Sequence, residues 1–115
     1  IAFNNYNLKL NSGPNGAGSC AAFDAFTELT DKTDIAAFTA QPSAPMFPDQ
    51  ASSVFNHGGV TWYNYNGATH AISSRAFVYL IKSQGKLYKL IVEGYYANVG
   101  GTPASGYFTF AWKEI

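Results

Sequence analysis

At 115 residues the chain has the length of one domain, and its seven acidic and seven basic residues give a formal net charge of zero. This balance gives no indication of nucleic-acid or anionic-membrane binding, and the single cysteine excludes an internal disulfide. With 12% charged and 17% aromatic residues, the composition is typical of an extracellular β-protein or a binding scaffold.

The chain opens on a predicted strand. Residues Ile1 to Leu10 alternate weakly between polar and apolar side chains, and the loop NSGPNGAGS that follows is rich in turn-forming residues. Because the first residue already lies in a strand pattern, we expect residues 1–115 to be a single β domain, the C-terminal part of a longer secreted protein. The sequence shows neither a signal peptide nor a run of about 18 apolar residues that would cross a membrane.

The segment after this loop has the least regular pattern. The run CAAFDAF, which begins at Cys20, is compatible with a short strand or a short helix. Thr33 and Asp34 form a candidate N-cap for one or two helical turns, so we expect at most one short helix. The acidic residues between Thr27 and Asp34 lack the pattern of a calcium loop, and we interpret them as a solvated loop.

A proline-rich loop follows. The run QPSAPMFPD, residues 41–49, holds three of the five prolines, and this density excludes a regular element. We predict an extended loop that presents Met46 and Phe47. A flexible turn, NHGG, then carries His57.

The stretch from Gly59 to Ser73, GVTWYNYNGATHAIS, combines large aromatics, a turn signal and a histidine. A strand here would place Tyr63 and Tyr65 on one face and Trp62 on the other. The dipeptide Asn66-Gly67 is the strongest two-residue turn signal in the chain. We therefore predict a tight hairpin, with His70 just beyond its turn.

The last third of the chain has the clearest strand pattern. AFVYLIKS and KLYKLIVEGYY are predicted strands joined by the turn SQGK, and YFTFAWKEI is a third strand after a long loop, ANVGGTPASG. These three strands would form an antiparallel meander. The predicted fold class is all-β, with antiparallel sheets in a meander or sandwich-like arrangement, long loops and at most one short helix.

Three stretches together resemble the HmuY-like haem-binding proteins, haemophores of Gram-negative bacteria. They are IAFNNYNLKLNSGPNGAGSCAAF, TWYNYNGATHAIS, and FVYLIKSQGKLYKLIVEGYY with the final GYFTFAWKEI. The resemblance covers nearly the whole chain and depends on the ordered set rather than on one motif. Cys20-Ala21 departs from it, because glycines are commoner there in the family.

The resemblance implies an all-β fold that captures haem, iron protoporphyrin IX, for bacterial iron acquisition. Two axial side chains, His or Met, would hold the haem from loops on one side of the protein. It also implies a secreted or outer-membrane-anchored lipoprotein with no enzymatic activity. The implied partners besides haem are an outer-membrane TonB-dependent haem receptor or a host haemoprotein, and no nucleic acid.

Few side chains in this sequence can ligate haem iron. Neutral imidazole and thioether sulfur are accepted axial ligands, which makes His70, Met46 and His57 the main candidates, ahead of Cys20 or a tyrosine. His70 is our first choice because it occupies the Thr-His position of the resemblance. The second ligand must come from another loop, since the two axial groups bind opposite faces of the porphyrin. Proline stiffening of its loop favours Met46, and His57 stays open.

A porphyrin also requires apolar walls. Phe47, Trp62, Tyr63 and Tyr65 are the candidate wall residues. Ordinary core packing is the alternative role for these aromatics, above all for Trp62.

Two other function classes remain open. A non-haem binding module would use the same aromatic face for another tetrapyrrole, a carbohydrate or a protein partner. A thiol enzyme would pair Cys20 with one of the two histidines and with Asp24 or Asp49. The apolar neighbours of Cys20 favour an inert thiol, so we predict that the protein is not an enzyme.

Overall fold

The computed structural model of the chain describes residues 1–19, 21–24, 46, 48–49, 51, 53, 55–56 and 61–115. Within this part of the chain the regular structure is β-strand, apart from a 3-10 turn at Gly13–Asn15 and 3-10 geometry at Phe55 and Asn56. The strands are β1 (Ala2–Asn4), β2 (Asn7–Lys9), β3 (Ala21–Asp24), β4 (Tyr63–Tyr65), β5 (Ile72–Ser74), β6 (Val78–Ser83), β7 (Lys86–Val99) and β8 (Thr102–Glu114). All of their pairings are antiparallel, which confirms the predicted fold class.

The largest sheet contains the predicted meander, with the strand order β3-β6-β7-β8. The predicted turn between β6 and β7 is confirmed, because Gln84 and Gly85 both have positive φ, 51° and 79°. The prediction of a long loop between β7 and β8 is wrong. Gly100 and Gly101 form a two-residue turn with φ of 61° and 87°, so both strands continue through the expected loop.

Two apolar clusters lie on the opposite faces of β6 and β7. In the pair of these strands Tyr79 lies opposite Leu90, and both belong to the main cluster. Val78 lies opposite Ile91 on the other face, in a smaller cluster. The two strands predicted here are confirmed, and because both faces are covered, residues 78–81 of β6 are all buried.

Two short hairpins complete the described strands. The predicted first strand is in fact the hairpin β1–β2, because Asn5 adopts a left-handed φ of 51° and reverses the chain. The second hairpin, β4–β5, contains the aromatic stretch. Ser74 of β5 donates a hydrogen bond to the carbonyl oxygen of Val92, which attaches this hairpin to β7.

Asp49 joins the proline-rich segment to the loop after β2. Its buried carboxylate accepts hydrogen bonds from the backbone N–H of Leu10 (2.8 Å) and from the side chain of Asn15 (2.9 Å). The backbone N–H of Asp49 donates to the Ser12 hydroxyl at 2.9 Å. Gly13 approaches so closely that a Cβ atom would overlap the carbonyl oxygen of Asp49. These bonds give Asp49 a structural role, which argues against the thiol-enzyme alternative.

Several predictions fall outside the described residues. The short helix predicted at Thr33-Asp34, the thiol of Cys20, and the candidate site residues Phe47 and His57 all lie there. They stay predictions. The segment CAAFDAF is described only at residues 21–24, where it is the strand β3.

Candidate functional site

The loop between β4 and β5 carries His70. Tyr65 pairs with Ile72, so residues 66–71 connect the strands, and the predicted two-residue turn at Asn66-Gly67 is wrong. Gly67 does not have the positive φ that such a turn requires, whereas His70 has a φ of 56°. Histidine is one of the non-glycine residues that tolerate this conformation, and here it determines the direction of the imidazole.

Asn66 explains why the wider loop forms. Its side-chain oxygen accepts hydrogen bonds from the backbone N–H groups of Ala68 (2.9 Å) and Thr69 (3.1 Å). The backbone N–H of Asn66 donates to the carbonyl oxygen of Ala71 at 2.9 Å, which closes the loop. An asparagine side chain that bonds to its own loop competes with the backbone turn that the same dipeptide would otherwise make.

Tyr65 and His70 are in direct contact across this loop. The Tyr65 hydroxyl forms a hydrogen bond with Nδ1 of His70, and the two ring centroids lie 5.9 Å apart. Both side chains are exposed, with 56% of the Tyr65 surface accessible. The imidazole is therefore held by a neighbouring phenol while it stays open to a ligand from solvent.

His70 and Tyr65 line a cleft of about 550 Å³, a volume within the range of small-molecule and cofactor sites, about 300–1,000 Å³. Three parts of the fold form it: the β1–β2 turn, the β4–β5 loop, and the far end of the β7–β8 hairpin. The lining residues are Tyr6, Tyr65, Thr69, His70, Ala71, Ile72, Tyr95, Tyr96, Pro103 and Ser105. The lining thus combines four tyrosines with one imidazole.

Irregular pairing of β7 and β8 brings Tyr95 and Tyr96 to this cleft. The register shifts on both sides of Gly94, and Gly106 on β8 has a φ of 87°. A bulge changes which side chains face each side of a sheet. Tyr95 accordingly belongs to the main cluster, and its ring centroid lies 5.2 Å from that of Phe108. Tyr96 is more exposed to solvent than Tyr95.

The sequence-based prediction missed the lining residues Tyr6, Tyr95 and Tyr96. The tyrosine doublet in VEGYY was the available signal, since regular alternation would send its two rings to opposite faces. Only the bulge next to the doublet allows both rings to border one cleft.

Trp62 and Tyr63 belong to the packing of the main cluster and are not among the residues that line the cleft. Trp62 is 1% exposed, and its indole N–H donates to the carbonyl oxygen of Tyr6 at 2.9 Å. Tyr63 packs against the main cluster and contacts Tyr6 with ring centroids 5.3 Å apart. Burial, and to a lesser degree the nearby Tyr6, raises the pKa of the Tyr63 phenol. Of the predicted wall residues that the structure describes, Tyr65 alone lines this cleft.

Met46 is half-buried on the other side of the large sheet. It packs against the small cluster of Val78, Leu80 and Ile91, which faces away from the main cluster. The cleft shares Ile72 and Tyr95 with the main cluster. The structure therefore does not bring Met46 together with His70.

A second apolar groove, of about 540 Å³, lies on the main-cluster face nearer the start of β7. Its lining residues are Ile1, Phe3, Ile81, Tyr88, Leu90, Phe110 and Trp112. Phe3 and Trp112 are 54% and 64% exposed. None of these lining residues, all from the described part of the chain, is a histidine, cysteine or methionine.

No cluster of three or more His, Cys, Asp or Glu side chains suited to a bare metal ion occurs among the described residues. None of the helices in that part of the chain is long and apolar enough to span a membrane.

Comparison with known proteins gives one family. The family model described as HmuY protein matches residues 1–112, nearly the entire chain. No curated protein matches the chain significantly.

Proposed function

The chain belongs to the HmuY family, a family of haem-binding proteins without enzymatic activity, and from this premise we propose that it captures haem as a haemophore. His70 would supply one axial ligand from the tyrosine-lined cleft. The haem is the cargo of the protein, delivered into bacterial iron acquisition, and no chemical conversion of it is part of the proposal.

The observation that carries the proposal is the position of His70. Its imidazole lies at the mouth of a cleft of about 550 Å³, next to the phenol of Tyr65. Haem iron accepts an imidazole as axial ligand and its porphyrin packs well against aromatic surfaces, and the described residues provide one imidazole and several aromatic rings. The donor set therefore fits one face of an iron porphyrin.

The protein's own residues contribute binding and orientation. The backbone bonds of Asn66 hold the loop before any ligand arrives, so little conformational freedom is lost on binding. Tyr65 and Tyr96 present rings along which a porphyrin can lie. Iron supplies the open coordination position that distinguishes haem from a metal-free ring.

Met46 and His57 are both still candidates for the second axial ligand. Met46 packs on the opposite face of the sheet, so its use would require the segment around it to leave the small cluster. That requirement removes the advantage that proline stiffening suggested for Met46. His57 precedes the aromatic hairpin by a few residues in sequence and lies outside the described part of the chain.

We extend the proposal to location and partners. Proteins of this family are extracellular or surface-associated, which agrees with a secreted or outer-membrane-anchored haemophore. Such a protein would take haem from a host haemoprotein and pass it to an outer-membrane TonB-dependent receptor. Mixing the free protein with methaemoglobin, followed by separation and absorbance of each fraction, tests the first of these transfers.

A haemin titration tests the proposed function. The parent protein is expected to give a Soret band and a six-coordinate low-spin spectrum at a ratio of one to one. The His70→Ala variant should lose most of the affinity and become five-coordinate with any haemin that stays bound. Ser73→Ala, at an exposed position of β5, is the matched control and should titrate like the parent.

Two outcomes would contradict the proposal. A parent protein without a Soret shift is not a haem binder in this form. If metal-free protoporphyrin IX competes with haemin at equal affinity, ring stacking rather than iron ligation holds the ligand, which is the behaviour of a general tetrapyrrole-binding module.

A further inference from the structure

The contact between Tyr65 and His70 suggests a role for the phenol beyond that of a wall. The Tyr65 hydroxyl bonds to Nδ1, one of the two ring nitrogens of the imidazole. Among the described residues, Nε2 has no recorded partner. The two nitrogens are thus in different environments before any ligand binds.

Both residues are held in place by the backbone. Tyr65 is the last residue of β4 and pairs in register with Ile72. His70 lies within the loop that Asn66 closes, and its φ of 56° directs the side chain. The contact therefore connects two fixed points of one hairpin rather than two freely rotating side chains.

Imidazole chemistry gives this contact a consequence. A neutral imidazole that binds a metal through Nε2 carries its proton on Nδ1, and that N–H needs an acceptor. The hydroxyl oxygen of Tyr65 is such an acceptor at the required place. Without it the ring is free to rotate and to present either nitrogen.

We propose that Tyr65 is a positioning residue that orients His70 so that Nε2 binds the haem iron. This inference rests on the proposed function, since it concerns the same site. The phenol accepts the Nδ1 proton in the bound state, which fixes the tautomer and the ring plane of the ligand. It does not itself touch the iron.

The test uses Tyr65→Phe, which keeps the ring and removes the hydroxyl. In the ligand-free protein, long-range ¹H–¹⁵N NMR of His70 should show unlike environments for Nδ1 and Nε2 in the parent and a pattern closer to free histidine in the variant. Haemin affinity should fall about tenfold to a hundredfold, as for other lost partners of metal-bound histidines. The variant spectrum should also show an increased high-spin fraction.

Two comparisons separate positioning from general damage to the cleft. Tyr107→Phe removes an exposed tyrosine hydroxyl that is not among the residues lining the cleft, and it should leave the His70 nitrogen signals unchanged. In the His70→Ala background, Tyr65→Phe should cause no further loss of haemin affinity, because the phenol acts through the imidazole.

The outcomes distinguish the two proposals. If the parent binds haemin and Tyr65→Phe matches it in affinity, spectrum and nitrogen signals, the positioning role is overturned and the proposed function stands. An additional loss in the His70→Ala background would show that Tyr65 acts on the ligand directly and would also overturn this role. A parent that does not bind haemin overturns both proposals.

Discussion

The hydroxyl of Tyr96 accepts a hydrogen bond from the backbone N–H of Ile72 at 2.9 Å. Tyr96 belongs to β7 of the large sheet, whereas Ile72 is the first residue of β5 in the hairpin that presents His70. This bond is a second link between the two sheets, beside the one from Ser74 to Val92. The position of the candidate iron ligand therefore depends on a tyrosine from a distant part of the chain.

Tyr96→Phe should lower the free energy of unfolding by about 1–3 kcal/mol, because it leaves the Ile72 N–H without its acceptor at a buried position. Urea denaturation followed by tryptophan fluorescence measures the change. Tyr107→Phe is the control, since Tyr107 is 50% exposed and should tolerate the change within about 0.5 kcal/mol. Equal stability of the two variants would contradict a structural role for the Tyr96 bond.

Gly67→Ala should be tolerated. Gly67 has no positive φ, and a Cβ atom there would meet nothing within 4 Å, so the change should stabilise the protein by up to about 1 kcal/mol or be neutral. Gly100→Ala is the matched comparison, because its φ of 61° should make alanine cost about 1–2 kcal/mol. A marked loss of thermal stability in Gly67→Ala would instead support the tight Asn66-Gly67 turn.

Asp49→Ala should be among the most damaging single changes in the described loops. It removes a buried acceptor from Leu10 and Asn15, with an expected cost of about 3 kcal/mol from lost charged hydrogen bonds and unpaired donors. Glu114→Gln, which breaks an exposed ion pair with Lys86, should leave the midpoint in urea close to that of the parent, because water and salt screen such a pair. Similar midpoints in urea for the two variants would contradict the anchoring role of Asp49.

The second axial ligand can be identified by two parallel substitutions. Since Met46 packs away from the cleft, His57→Ala is expected to convert the haemin complex to a five-coordinate spectrum, and Met46→Ala is expected to change it less. Absorption and magnetic circular dichroism spectra make the comparison. The reverse result would mean that the segment around Met46 moves when haem binds.

Stability should fall in alkali partly because of Tyr63. Its pKa is raised in the folded state, above the ordinary value of 10.0, chiefly by burial. The unfolded chain therefore releases this proton at a lower pH than the folded chain, and the free energy of unfolding declines as the pH rises from about 10 through the folded pKa. Urea titrations at pH 9 and pH 11 should show a smaller decline for Tyr63→Phe than for the parent. An equal decline would contradict this contribution.

Much of the fold could be predicted from local pattern. The strands β6 and β7, the turn between them and the antiparallel meander are confirmed, since a strand-forming run and a turn dipeptide are properties of neighbouring residues. The predictions failed where several short-range options compete. Asn66 bonds to its own loop instead of forming a tight turn, and Gly100-Gly101 extends a hairpin instead of opening a loop.

The sequence by itself determined the all-β class, the family and the choice of His70 as a candidate ligand, because each depends on residue types and their order. Only the tertiary structure decided what surrounds that imidazole. The Tyr65 hydroxyl bonds to Nδ1 of His70 within the β4–β5 loop, and a shift in strand register next to Gly94 brings Tyr96 of β7 to the same cleft. Trp62 is buried in the main cluster, and Met46 packs on the opposite face of the large sheet. Local sequence pattern does not distinguish these positions from the cleft, because they are decided by how the sheets pack together.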